Sequence, residues 1–339
     1  MIKGKSLEIF CGTGGVGKTT LATSRAIFLA SSKKKVLLIT IDPSRRLKEI
    51  LNLSEKNAGN PEKVCFSKTV NFHAELMSPY ETFKKIKTND LEAIENPILK
   101  ILTKPFGGMN EILALVEVDF HLKSGKFDTI ILDTPPGNHF IDFLESSKKI
   151  RDFFKKTYLD IFHFLESDKK NKSPKLLSLL MTSGIKKLLS LMDKLTGKTF
   201  VSKFIESVNI VYENREAFIN ALEIQDILKD PLKSNWFLIT SVEHNKLDEA
   251  AVIMQKASPF MHEDNYLIIN KCWSSYLTAW KPKSKKANEL KTSLEKREYE
   301  LIDFAEKTNI NVVKFSEIFD LPTDEQVRKL SLQWKEEIL

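Results

Sequence analysis

Short apolar runs alternate along much of the chain with longer stretches in which apolar residues recur at helical spacing. Ser6 to Cys11, Lys35 to Ile41 and Phe127 to Asp133 read as strands in the first part, and Trp236 to Thr240, Tyr266 to Asn270 and Val312 to Phe315 in the last. Unbroken apolar strands are what a parallel sheet needs when helices cover both of its faces. Thr20 to Leu29, Arg45 to Leu53, Tyr80 to Glu95, Met109 to Leu122, Lys246 to Lys256, Lys286 to Lys307 and Asp324 to Trp334 carry the helical spacing. Ser44 is placed to cap the second of these. Ser54 to Lys63 is polar and reads as a loop, and Val64 to Leu76 alternates as one or two strands. Strand, loop and helix recur at the spacing of βαβ units. The expected class is therefore α/β, a mostly parallel sheet covered by helices on both faces.

The alternation breaks between Phe143 and Lys233. That stretch has no convincing strand and reads as several helices, separated by turn signals at Asp168 to Pro174, Gly184 and Gly197. The expected organisation is a core formed by residues 1–145 and 234–339, with a helical insertion at 146–233. The apolar Phe, Leu and Met residues of the insertion suit either a groove for a hydrophobic helix or the insertion's own core, since each helix must bury one face.

With 339 residues, 42% of them hydrophobic, the chain can bury one large α/β core with an insertion, and 12 glycines and 12 prolines leave little room for low-complexity tracts. The net charge of +7 is spread over scattered pairs such as Lys84-Lys85 and Lys148-Lys149. These read as solvated faces, so no nucleic-acid partner is expected. The three cysteines, Cys11, Cys65 and Cys272, are far apart in sequence and form no C-x-x-C, which argues against a zinc site or disulfide framework and fits a reducing compartment. No signal peptide and no apolar run of about twenty residues is evident, so a cytoplasmic location is expected.

The chemistry begins at Gly12-Thr13-Gly14-Gly15-Val16-Gly17-Lys18-Thr19-Thr20. This is the pattern G-x-x-x-x-G-K-S/T, between a strand and a helix as a phosphate loop requires. Glycines let the backbone fold tightly and turn consecutive N–H groups toward an anion. Lys18 supplies a point charge to the terminal phosphates, Thr19 offers a hydroxyl to Mg²⁺, and the helix adds its positive end. Asp133 closes an apolar strand, where it can hold the Mg²⁺ shell with Thr19 or cap a turn. Asp42 also ends a strand, where it can polarise an attacking water or shape the turn before Pro43. The phosphate loop, Asp42, Asp133 and Asn270 all follow or end strands, so all can face one crevice.

Several stretches together resemble one family. The loop resembles G-K-G-G-V-G-K-T-T. Asp42-Pro43-Ser44-Arg45-Arg46-Leu47 resembles a first switch, D-P-A-x-x-L. Gly108-Met109-Asn110-Glu111 resembles P-G-x-x-E, with Gly107 where the proline would stand. Asp133-Thr134-Pro135-Pro136-Gly137-Asn138-His139 resembles a second switch, D-T-x-P-x-x-H. These are the motifs of the arsenite-pump and tail-anchored-protein targeting ATPases, a family of P-loop ATPases. The resemblance covers the α/β part. It implies ATP and ADP as ligands with Mg²⁺, and hydrolysis of ATP. It implies a dimer, of identical chains or with a homologous ATPase, and a helical domain that meets a hydrophobic-helix client or a membrane-associated partner. It assigns water positioning to Asp42, phosphate chemistry to Lys18 and adenine reading to Asn270, with Pro322 near the adenine-side loop.

The chain departs from the family at Thr13, where a signature lysine belongs. A hydroxyl cannot replace that charge in the transition state. Arg45 or Arg46 can substitute, a paired homologue can supply the lysine, or turnover is weak and the chain is a nucleotide-responsive binder or chaperone. A positioning ATPase of the ParA/MinD type is a further alternative, disfavoured by the large helical insertion and by a C-terminal segment, Leu330 to Leu339, too short and mixed in charge to be an amphipathic anchor. Cys11 and Cys272 read as core residues and Cys65 stands alone, so a metalloid site is not expected.

Overall fold

A computed structural model describes residues 2–41, 46–86, 96, 110–137, 139–153, 200–243, 246–308 and 310–335. Eight strands form one sheet: β1 (Leu7–Gly12), β2 (Val36–Thr40), β3 (Glu62–Cys65), β4 (Asn71–Leu76), β5 (Thr129–Asp133), β6 (Ser234–Ser241), β7 (Tyr266–Cys272) and β8 (Asn311–Ser316). Their order across the sheet is β3-β4-β2-β5-β1-β6-β7-β8. The pairs from β4 to β8 are parallel, and β3 alone runs antiparallel, at the edge against β4. The α/β expectation holds. Every residue of β1, β2, β5 and β6 is buried, as continuous apolar runs between two helical layers require.

The connections place the ends of the strands. From β1 the chain crosses to β2 on one side, while β6, β7 and β8 build out on the other. Loops after β1, β5 and β6 therefore open where the connections diverge, the usual place for a ligand in an open α/β sheet.

The helices are α1 (Lys18–Ser31), α2 (Arg46–Leu51), α3 (Pro79–Ile86), α4 (Asn110–Ser124), α5 (His139–Phe153), α6 (Phe200–Glu213), α7 (Arg215–Leu222), α8 (Ile224–Leu228), α9 (Lys246–Ala257), α10 (Ser274–Ala279), α11 (Lys285–Lys307) and α12 (Thr323–Gln333). The chain divides into two compact units. One comprises Met1–Ser78, Glu117–Glu145 and Glu223–Leu339 and holds the whole sheet; the other comprises Pro79–Val116 and Ser146–Leu222. In the second unit the rings of Phe83 and Phe218 lie 6.5 Å apart, and Asn96 bonds the Lys203 carbonyl at 3.0 Å and the Ser207 hydroxyl at 2.8 Å.

Several boundaries differ from the sequence reading. The expected loop Ser54 to Lys63 contains a short 3₁₀ turn, Glu55–Asn57, and the start of β3. That strand alternates between half-buried and exposed residues, so no apolar run marks it. The second helix ends at Leu51 rather than Leu53, because Asn52 takes φ 51°, a left-handed conformation that terminates a helix. His139, expected in a loop, opens α5 immediately after the loop that holds Pro135 and Pro136. The six-residue α10 was not expected; its pattern is too short to read. Asp42 and Ser44, residues 87–95, and the turn signals from Asp168 to Gly197 lie outside the described residues.

Helix α1 is buried from Lys18 to Ala30, because it packs on the sheet and is covered in turn by α12. A charged residue there has no route to water, so it needs an internal partner. Arg25 finds one in Glu8 on β1: Nε donates to Oε2 at 2.9 Å and Nη2 to Oε1 at 2.8 Å, with both side chains fully buried. Asn235 on β6 donates to the same Oε1 at 2.9 Å, and the Arg25 guanidinium lies 4.8 Å from the Trp334 ring and 5.6 Å from that of Phe237. Trp334 returns a hydrogen bond from Nε1 to the Ser24 hydroxyl at 2.8 Å. The helix that carries the phosphate loop is thus tied to β1, β6 and the end of the chain by one buried charge cluster.

Arg25→Met leaves Glu8 charged and without its cation, and is expected to destabilise by about 3–5 kcal/mol. The double variant Glu8→Leu/Arg25→Met removes both charges and is expected to recover a large part of that loss. Urea unfolding midpoints measure both. A double variant no more stable than Arg25→Met would show that the stranded charge is not the cause.

Candidate functional site

The loop from Gly12 to Lys18 is shaped by its neighbours. Gly12 ends β1 so close to β6 that a Cβ there would lie 2.3 Å from the Ile239 carbonyl oxygen. Gly15 and Gly17 take φ 79° and 92°, a region that favours glycine. At Gly17 a Cβ would also meet the Asn270 amide nitrogen at 2.5 Å. Helix α1 starts at once, with Leu21 donating to the Gly17 carbonyl at 2.9 Å. The first-turn N–H groups of a helix have no acceptor within it, so they face the loop's concave side as anion donors. Lys18 folds back across the loop, and its ammonium donates to the Thr13 carbonyl at 2.9 Å. The Val16 side chain is fully buried, and Thr20 is buried beside it.

Asp133, the last residue of β5, is fully buried. Its Oδ2 accepts from the Thr19 hydroxyl at 2.9 Å and from the Thr40 hydroxyl at 3.0 Å. The segment that follows is laced to β1: Thr134 donates from its N–H and its hydroxyl to the Phe10 carbonyl at 3.2 and 2.9 Å, and Gly137 donates to the Gly12 carbonyl at 3.1 Å. Gly14 and Pro136 face each other, a Cβ on the glycine falling 3.9 Å from that of the proline. On the other side Ile41 donates to the Asp133 carbonyl at 2.9 Å, which fixes where the chain leaves β2 just before Asp42. Asp42 and Arg45 themselves lie outside the described residues. Arg46 is exposed at the start of α2.

A third wall comes from β7. Asn270 donates from its amide nitrogen to the Val16 carbonyl at 2.8 Å. The β7–β8 register shifts between Ile269 and Cys272, and within that irregularity Lys271 takes φ 59°. Its ammonium donates to the Gly15 carbonyl at 3.3 Å and pairs with the Glu243 carboxylate. The hydrogen bond from Lys271 holds the Glu243 carboxyl below its ordinary range, against burial acting the other way. Beside it Lys246 pairs with Glu249 at 2.6 Å.

Gly12 to Thr20, Asp133 and Asn270 therefore meet at one end of the sheet. Pro322 sits at the start of α12, where its carbonyl accepts from Gln326 at 2.9 Å. The sequence reading missed Thr40, Lys271 and Glu243. Thr40 and Lys271 lie at the ends of strands it had recognised, so the strand-end rule that selected Asp42 and Asn270 also reaches them.

The donor set suits a magnesium nucleotide. Mg²⁺ prefers oxygen ligands, and a hydroxyl and a carboxylate meet here beside a lysine and a ring of main-chain donors. The glycine positions form a cradle whose room a Cβ would take at Gly12 and Gly17.

Cys11 precedes this loop in the buried strand. Burial pushes its thiol up to about 11, only partly offset by the Thr134 hydroxyl and the Lys18 charge. Burial likewise pushes the Cys272 thiol up. Cys65 is exposed on the edge strand β3. A thiol reagent is therefore expected to modify one cysteine per native chain at neutral pH and all three after denaturation. Rapid titration of two or more thiols in the native protein would contradict the burial of Cys11 and Cys272.

The sequence profile of the family described as anion-transporting ATPase matches residues 6–304. The chain is 25% identical over 263 residues to an ATPase ASNA1 homolog of Plasmodium vivax, covering 76% of this chain and 61% of that protein. It is 24% identical over 294 residues to a putative arsenical pump-driving ATPase of Prosthecochloris vibrioformis, covering 80% and 64%. It is 33% identical over 133 residues to the ATPase GET3 of Rhodotorula glutinis, covering 39% and 38%. In each case the match spans less than two thirds of the relative's own length. Among the described residues no helix is long and apolar enough to cross a membrane.

Proposed function

The chain belongs to the anion-transporting ATPase family, and from that premise we propose that it binds ATP with Mg²⁺ and hydrolyses it to ADP and phosphate. The observation that carries this reading is the 2.9 Å contact between Thr19 and Asp133 directly behind the Lys18 loop. A hydroxyl and a carboxylate brought together from α1 and β5 are the oxygen pair that a phosphate-bound Mg²⁺ needs.

In this reading the main-chain N–H groups of Gly14 to Thr20 hold the phosphates. Lys18 exchanges the Thr13 carbonyl for phosphate oxygen. Thr19 and Asp133 would hold the cation, which would neutralise charge on the phosphate oxygens. Asp42, by its resemblance to the family's first switch, orients the attacking water and takes its proton. Asn270 has its amide nitrogen committed to the Val16 carbonyl, so its amide oxygen is the group that accepts from the adenine amine. Pro322 belongs to the adenine side by resemblance alone.

The reading includes two switch segments. The one after Asp133 is bonded to β1 through Thr134 and Gly137. The one after Ile41 leaves the Asp133 carbonyl. Both start beside Asp133, and in this reading each responds to the terminal phosphate. The coupled events are closure of a dimer, with an identical or homologous chain, and a response of the helical insertion at 146–233, where a hydrophobic helix or membrane-associated partner would bind. A cytoplasmic setting suits this activity. Thr13 favours a second reading, in which nucleotide closes a binding module and hydrolysis is slow, because the hydroxyl supplies no charge to the transition state.

Steady-state phosphate release and ATP calorimetry test both readings, on the chain alone and with a homologous partner. Lys18→Ala is expected to abolish nucleotide binding or turnover, and Asp133→Asn to lower Mg²⁺-dependent turnover by about a hundredfold or more. Turnover unchanged by Lys18→Ala would refute the assignment. Tight binding without turnover would leave the second reading standing.

A further inference from the structure

Apart from the phosphate loop, three side chains with metal-ligating atoms meet inside the sheet-bearing unit. Glu75 lies on β4, and Glu117 and His121 lie one turn apart on α4. Both glutamates are fully buried and His121 is 4% exposed. Nε2 of His121 is 3.0 Å from Glu75 Oε2 and 3.0 Å from Glu117 Oε1, and the three ligand atoms all lie within 4.8 Å of one another. The Phe127 ring closes one side, edge-on to His121 at 5.8 Å.

Two features of this geometry point to a cation at its centre. An imidazole nitrogen carries at most one hydrogen, and here that nitrogen faces two carboxylate oxygens at equal distance. A single N–H must be split between them, whereas a metal ion lying between all three satisfies each at once. The spacing is close to that of a coordination sphere. First-row divalent ions lie about 2.0–2.2 Å from imidazole and carboxylate donors, which puts neighbouring ligand atoms about 2.8–3.1 Å apart at octahedral angles and about 3.3–3.6 Å apart at tetrahedral ones. The two 3.0 Å separations are octahedral edges, and a tetrahedral ion spreads them by a few tenths of an ångström.

We propose that Glu75, Glu117 and His121 form a binding site for a divalent transition ion, of which Zn²⁺ is the best match. The imidazole sets it apart from the all-oxygen set at Thr19 and Asp133, which suits Mg²⁺. Such an ion clips β4 to α4. Glu75 is opposite Ile39 of β2, and α4 runs into β5, which ends in Asp133. The clip therefore joins the strand pair that leads to Asp42 to the helix that feeds the Asp133 strand. Burial opposes charge on His121, but the hydrogen bonds to Glu117 and Glu75 outweigh it and hold the imidazole above its ordinary value.

The test uses the full chain carrying Cys65→Ser, since the exposed thiol binds the same ions, stripped with a chelator and titrated with Co²⁺ in the absence of nucleotide. One equivalent of Co²⁺ is expected, with visible absorption that Zn²⁺ displaces. It is retained in Asp133→Asn, which separates this site from the proposed nucleotide site, and lost in His121→Gln and Glu117→Gln. Zn²⁺ at about a hundred times its dissociation constant is expected to raise the thermal midpoint of the parent by about 5 °C and to leave that of His121→Gln unchanged. If the variants fail to fold, the Co²⁺-loaded parent decides by its NMR spectrum, where a ligated histidine gives a paramagnetically shifted, exchangeable imidazole proton. No stoichiometric uptake by the parent, uptake indifferent to the substitutions, or no shifted imidazole proton would each overturn the site.

Discussion

The pairing of Arg25 with Glu8 is the constraint on which the rest of the site depends. A phosphate loop works only if its amides are aimed before the ligand arrives, because groups that must reorganise lose much of their electrostatic effect. The loop runs directly into the first turn of α1, so its aim depends on the placement of that helix. An ion pair between two fully buried side chains specifies one placement of α1 on β1, since any slip strands two charges in a medium that cannot hydrate them. Asn235 and Trp334 extend the cluster to β6 and the end of the chain. The buried charge pair thus acts as an alignment key.

Much of this was legible in the sequence. Apolar runs gave the strands of the sheet's interior because those strands are buried on both faces, where periodicity is replaced by continuity. The phosphate loop declared itself because its chemistry demands glycine at particular places, and Gly12 and Gly17 prove to be positions where no side chain fits. Asp133 and Asn270 followed from lying at strand ends. What escaped was set by tertiary context. The edge strand β3 buries too little to show a pattern. Lys271 looks like one more surface lysine until an irregularity in the β7–β8 register turns it toward Gly15. Glu8 and Arg25 are individually unremarkable polar residues, and only the fold reveals that they sit opposite each other with no water between.

The loop's missing lysine is set among charges that the sequence alone does not connect. Around Thr13 and Gly15 lie two ion pairs, Lys271 with Glu243 and Lys246 with Glu249. Both pair a cation with a neighbouring carboxylate, so neither of these two lysines is a lone positive charge beside the loop where the family's pattern would add one.

The amide of Asn270 braces the loop through Val16. One side chain therefore links the stiffness of the anion cradle to the surface that a nucleobase would touch. In the role proposed for Asn270, a substitution that reshaped base preference would also remove the brace, so phosphate grip and base choice would change together. A change of base preference alone would then come from residues around it that leave the brace in place.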